Sequence, residues 1–83
     1  VVIHPCIFWV IKRFPERKDI LTELYKRNVS FQSICEDYQV CVETLKLWTN
    51  VDSDEAVIRR KEYGEFIQNL ESEIMRCLNE DCP

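Results

Sequence analysis

The sequence predicts an all-α protein: an antiparallel helical hairpin of two long helices, over residues 30–49 and 53–79. A shorter helix over 15–27 and an apolar N-terminal helical segment over 5–13 are expected to cover it. Three observations predict this class. Only one glycine, Gly64, occurs in 83 residues, whereas sheets and loop-rich folds need many glycine-bearing turns. Apolar residues recur at steps of three and four along the second half of the chain, the period of a helix face. A composition of 46% hydrophobic and 31% charged residues belongs to a packed chain rather than a disordered one. The length makes one small domain, 1–83, above the size at which disulfides or metals become obligatory.

The first segment is the most apolar. Ile3, Ile7, Val10, Ile11 and Phe14 fall at helical spacing, Phe8 and Trp9 extend the stripe, and Pro5 suits a first helical turn. Pro15 ends that helix, because the residue before a proline is pushed out of α geometry. It can also open the next one, with Glu16 at the positive end of the dipole and Lys26 and Arg27 at the negative end. Ile20, Leu21, Leu24 and Tyr25 form the second apolar stripe.

Ser30 reads as the N-cap of the third helix, with Val29 and Ile34 forming a hydrophobic staple across it. Phe31, Ile34, Tyr38, Cys41, Leu45 and Trp48 then mark a seam, which leaves only Val40 off the stripe. The helix should end near Asn50. Asp52 and Glu55 have the spacing of a capping box that restarts the chain. The last stripe is Ala56, Tyr63, Ile67, Leu70, Ile74 and Cys77, widened by Phe66 and Leu78. Gly64 costs about 1 kcal/mol against alanine in mid-helix, and its smallness would permit a close helix approach. A loop of about four residues between helices about 30 and 40 Å long forces them antiparallel.

The residues from Phe14 to about Trp48 resemble the small YdcH-like helical-hairpin proteins of bacteria. The matching stretches are Phe14-Pro15-Glu16-Arg17-Lys18-Asp19-Ile20 and Ser30-Phe31…Cys35-Glu36-Asp37-Tyr38, under half the chain. The resemblance implies a helical protein of bacterial type, in which a short helix precedes a long one. It implies no chemistry, since that family has none firmly assigned.

The net charge of −4 hides an asymmetry. Lys12, Arg13, Arg17, Lys18, Lys26 and Arg27 precede Val29, and from Ser30 onward acids outnumber bases twelve to five. A polyanion would meet only the first third favourably, so Lys12, Arg13, Arg17 and Lys18 are the candidate anion contacts. A helix-turn-helix over residues 31–48 is the runner-up function, with small Cys35 at the crossing. Gln39 stands at its turn position, and Glu43, Thr44 and Lys46 offer little attraction for phosphate. A continuous helix is therefore expected there.

His4, Cys6, Cys77 and Cys82 include the ligand types of tetrahedral zinc, but no Cys-x₂-Cys spacing occurs. Buried cysteines acting as small hydrophobes are the expectation for Cys35, Cys41 and Cys77. One histidine, no glycine-rich loop and no nucleophile elbow argue against the commonest enzyme templates. No catalytic, cofactor-binding or metal residue is assigned.

The opening apolar run is too short to span a bilayer, which takes about 20 residues. His4 and Pro5 interrupt it, unlike a cleavable signal peptide. A cytoplasmic chain with reduced thiols is expected. With Lys12 and Arg13 after it, the run also fits a membrane-surface anchor formed by residues 1–18, although no clean polar face opposes the apolar one. The favoured function is a non-enzymatic helical interaction protein, binding itself as a homo-dimer or another helical protein. Its candidate interface is Ile7, Phe8, Trp9 and Ile11.

Overall fold

The computed structural model describes residues 5–79, and every regular element among them is helical. The order is α1 (Pro5–Arg13), a single 3-10 turn (Pro15–Arg17), α2 (Lys18–Arg27), α3 (Val29–Thr49) and α4 (Asp54–Leu78). α3 and α4 form the antiparallel hairpin. α1 lies mainly along α3, and α2 closes over α1 and the start of α3. The molecule is elongated, 41 × 27 × 21 Å, because the hairpin is longer than the pair of helices packed on it.

One cluster unites all four helices. Cys6, Ile7 and Val10 come from α1, Leu21 and Leu24 from α2, Phe31, Ile34, Cys35 and Tyr38 from α3, and Ile74 and Cys77 from α4. Every one of these α3 and α4 residues lies at the base of the hairpin, beside α1 and α2. Toward the tip only Ala56 is fully covered. Leu45, Trp48, Tyr63 and Ile67, which the spacing places in the same seam, are half-buried. Two helices alone cannot surround an apolar stripe that wide.

The ends of the helices differ from the expected caps. Asn28, not Ser30, caps α3: its side-chain oxygen accepts from the Phe31 backbone N–H at 2.9 Å. Ser30 lies inside the first turn, and Val29 is 80% exposed, so no staple forms. Asn28 serves twice, since its own N–H donates to Leu24 O and closes α2. Ser53 rather than Asp52 caps α4 by accepting from Ala56 N at 3.1 Å. Asp54 and Glu55 occupy the first turn, where the dipole favours them. Arg60 reaches back from α4, and its Nη1 donates to Trp48 O and Val51 O at 2.9 and 3.0 Å. It thereby adds a second donor to the Trp48 carbonyl, which also accepts from Val51 N at 3.2 Å, and ties the connection between α3 and α4 to α4.

Gly64 has no heavy atom within 4 Å of where a Cβ would stand. The close approach expected there is absent. Cys77 is disulfide-bonded and Cys35 and Cys41 are free thiols, which corrects the expectation of wholly reduced cysteines. No helix among the described residues is long and apolar enough to cross a membrane.

Candidate functional site

A two-helix hairpin has two grooves, one on each side of its seam. In this protein α1 lies along one of them and the other is open. On the covered side α1 meets α3 near Cys35, Tyr38 and Val42, and joins α4 through Arg13. Tyr38 Oη donates to Glu71 Oε2 at 2.8 Å, and Arg13 Nε donates to the same oxygen at 3.1 Å. Three helices therefore share one carboxylate. Burial, then the hydrogen bond to Glu71, raises the Tyr38 phenol above its usual range.

The open groove is lined by Asp37, Val40 and Cys41 of α3 and by Phe66, Asn69, Leu70 and Glu73 of α4, and encloses about 320 Å³. One residue is 100° of helix rotation, so Asp37 and Cys41 look away from the side that Tyr38 and Val42 present to α1. Val40 is 60% exposed and Phe66 52% exposed. Cys41 and Leu70 form the half-buried floor between them. A heptad farther toward the tip, half-buried Trp48 and Tyr63 continue this floor. Tyr63 holds Phe66 edge-to-face, with ring centroids 5.9 Å apart. Burial, then the neighbouring Asp37 carboxylate, raises the Cys41 thiol.

The rim is acidic. Asp37 and Glu73 stand at the groove, with Glu62 and Glu65 one turn before Phe66 and Asn69. Arg59 engages Glu55 and Glu62 at 3.7 and 3.3 Å. Among the described residues no cation pairs with Asp37, Glu65 or Glu73; Arg76 stands one turn beyond Glu73 and Lys61 one turn before Glu65.

The residues singled out as a partner interface are not exposed as one patch. Ile7 is 3% exposed in the core, Trp9 and Ile11 pack half-buried against it, and Phe8 alone points outward. The candidate anion contacts also separate. Arg13 is held by Glu71 and lies 4.8 Å over the Phe14 ring. Arg17 belongs to the 3-10 turn and Lys18 begins α2. Only Lys12 joins a cationic feature: its Nζ lies 5.4 Å from the Trp9 ring centroid, and Lys46 Nζ of α3 lies 4.3 Å from it. Lys46 had no signal in the sequence, because the approach of α1 to α3 is needed to bring it there.

α3 runs unbroken through Gln39, so a helix-turn-helix has no turn at that position. No group of three or more His, Cys, Asp or Glu side chains among the described residues is placed to hold a metal. Of the residues considered for zinc, Cys6 meets Tyr25 Oη at 3.0 Å, Cys77 is disulfide-bonded, and His4 and Cys82 lie outside the described residues.

No family model, curated protein or solved structure matches this chain.

Proposed function

We propose that this protein is a non-enzymatic docking module, whose α3–α4 hairpin receives a helix of another protein in its open groove. The observation that carries the reading is the asymmetry of the hairpin. One groove holds α1, while the matching groove on the other side leaves Val40 and Phe66 in solvent. Helix-in-groove recognition uses this kind of surface, an apolar floor between two fixed helices. Burying side chains of this size in an interface contributes roughly 1.5–3 kcal/mol each.

The wider expectation of self-association narrows under the same geometry. A two-fold contact through the groove would bring the acidic rims of two copies, with Asp37, Glu65 and Glu73, against one another, and like charges held together oppose binding. A different helical partner meets no such penalty. With Ile7 in the core, α1 supports the fold and offers only Phe8 to a neighbour.

Placing glutamates at Val40 and Phe66 tests the reading, because both positions are exposed and the fold should survive. The wild-type chain should bind a purified partner recovered from its native cells, and the double variant should lose that partner while keeping its circular dichroism. Undiminished binding by the double variant would show that the groove is not the docking surface.

A further inference from the structure

The charges around the open groove define the partner that it fits. We infer that the groove takes a basic amphipathic helix about three turns long, an inference that rests on the docking role proposed above. Length follows from the floor. Residues 37–48 of α3 cover about 17 Å at 1.5 Å per residue, which a partner helix of about eleven residues matches. The floor is made of Val40, Cys41, Phe66 and Leu70, and half-buried Trp48 and Tyr63 stand a heptad beyond Cys41 and Leu70 on the same stripes. It asks for apolar residues at the i, i+3, i+4, i+7 spacing of a single helix stripe.

Sign follows from the rim. Asp37 and Glu73 flank the floor directly, with Glu65 within a turn of it. Against these three stand Arg76 and, one turn before Glu65 and outside the groove lining, Lys61, since Arg59 is engaged by Glu55 and Glu62. Lysines or arginines bordering the apolar stripe of the incoming helix would lie against these carboxylates, their stems covering the floor and their heads reaching the rim. An acidic helix would meet like charges on both edges, and repulsion of that kind is how an interface excludes wrong partners. Lys12 and Lys46, the two lysines at Trp9, are on the α1 side and do not neutralise this rim.

The test uses the full chain and two synthetic 16-residue peptides, both with leucines along one face. Lysines flank the stripe in one peptide and glutamates in the other. Fluorescence anisotropy should show the lysine peptide binding at least roughly tenfold more tightly than the glutamate peptide at low salt, with an advantage that shrinks as salt rises. Neutralising the rim with Asp37→Asn and Glu73→Gln should remove most of that advantage. Trimming the floor with Val40→Ala and Phe66→Ala should weaken the lysine peptide roughly tenfold at every salt concentration.

If the two peptides bind alike and both need the floor, the docking role stands and the choice of a basic partner is wrong. If neither binds, the docking role falls with it. If the lysine peptide binds regardless of the floor residues, the contact is charge attraction to an acidic surface and the inference is overturned. Light scattering that finds a dimer, abolished by Val40→Glu, would likewise overturn it by giving the groove to a second copy.

Discussion

Three sites carry most of what can be tested one residue at a time. Gly64 sits within α4 with open space where a Cβ would stand. Gly64→Ala should therefore stabilise the protein by about 1 kcal/mol through helix propensity alone, read as a higher urea midpoint with unchanged slope. A loss of stability would mean that the position is more crowded than this structure has it. Tyr38→Phe removes one of the two donors to Glu71 Oε2 and should cost about 1 kcal/mol. Glu71→Gln should weaken the joint at both partners. The third is Cys35, fully buried, where burial and then the nearby Cys6 push the thiol from 9.0 up to about 12. Folding favours its protonated form, so the folded chain keeps a proton that the unfolded chain loses above pH 9. Stability is then complete below that pH and falls as pH rises through the window from 9 to 12. Tyr38 adds to the loss from about pH 10, its phenol being raised from 10.0. The folding equilibrium constant should drop by up to roughly tenfold per pH unit for each such group. Urea titrations across the alkaline range would show this, and Cys35→Ala should flatten the slope even though it lowers the plateau. A wild-type slope of zero above pH 9 would rule the thiol out.

At the scale of elements, hydrophobic period was the strong signal and capping chemistry the weak one. The stripes of α1 and α2 and the base half of the α3–α4 seam were legible because steps of three and four leave few alternatives in a chain with one glycine. The α3 cap was less legible, because Asn28 and Ser30 are both good N-caps and differ only in where the connection from α2 becomes tight. The same ambiguity separated Ser53 from Asp52. Asn28→Ala should cost about 0.5–2 kcal/mol, through loss of the bond from Phe31 N–H alone, because the Asn28 backbone N–H that closes α2 is kept by alanine. Ser30→Ala should cost next to nothing. Equal costs at the two positions, measured by chemical denaturation, would return the cap to Ser30. The groove was legible in an unexpected form. Val40 fitted the α3 stripe worst and Phe66 only widened the α4 stripe, and these two residues stand exposed at its edges. Which side of the hairpin α1 would take depends on tertiary packing, so one sequence cannot give it.

Across the whole molecule, covering is unequal from end to end. Phe31, Ile34, Cys35, Tyr38, Ile74 and Cys77 are buried where α1 and α2 lie on the hairpin. Beyond Lys46, from about residue 47 to residue 65, the two helices have only each other, with Leu47 72% exposed and Ala56 alone fully covered. Local opening is cheapest where few apolar contacts are lost, so the hairpin should open from its tip inward while the base stays folded. Arg60 opposes this by holding the carbonyls of Trp48 and Val51. Amide hydrogen exchange should then show weak protection over residues 45–62, and protection near the global limit around Tyr38 and Ile74. Arg60→Ala should accelerate exchange at the tip and leave the base unchanged, because the two lost hydrogen bonds do not touch the four-helix cluster. Even protection along the full length of α3 and α4 would mean that the hairpin opens as a single unit and that its tip needs no cover. Weak protection at the tip that rises when a helical peptide is bound would place the binding energy on the half of the hairpin that α1 and α2 leave bare.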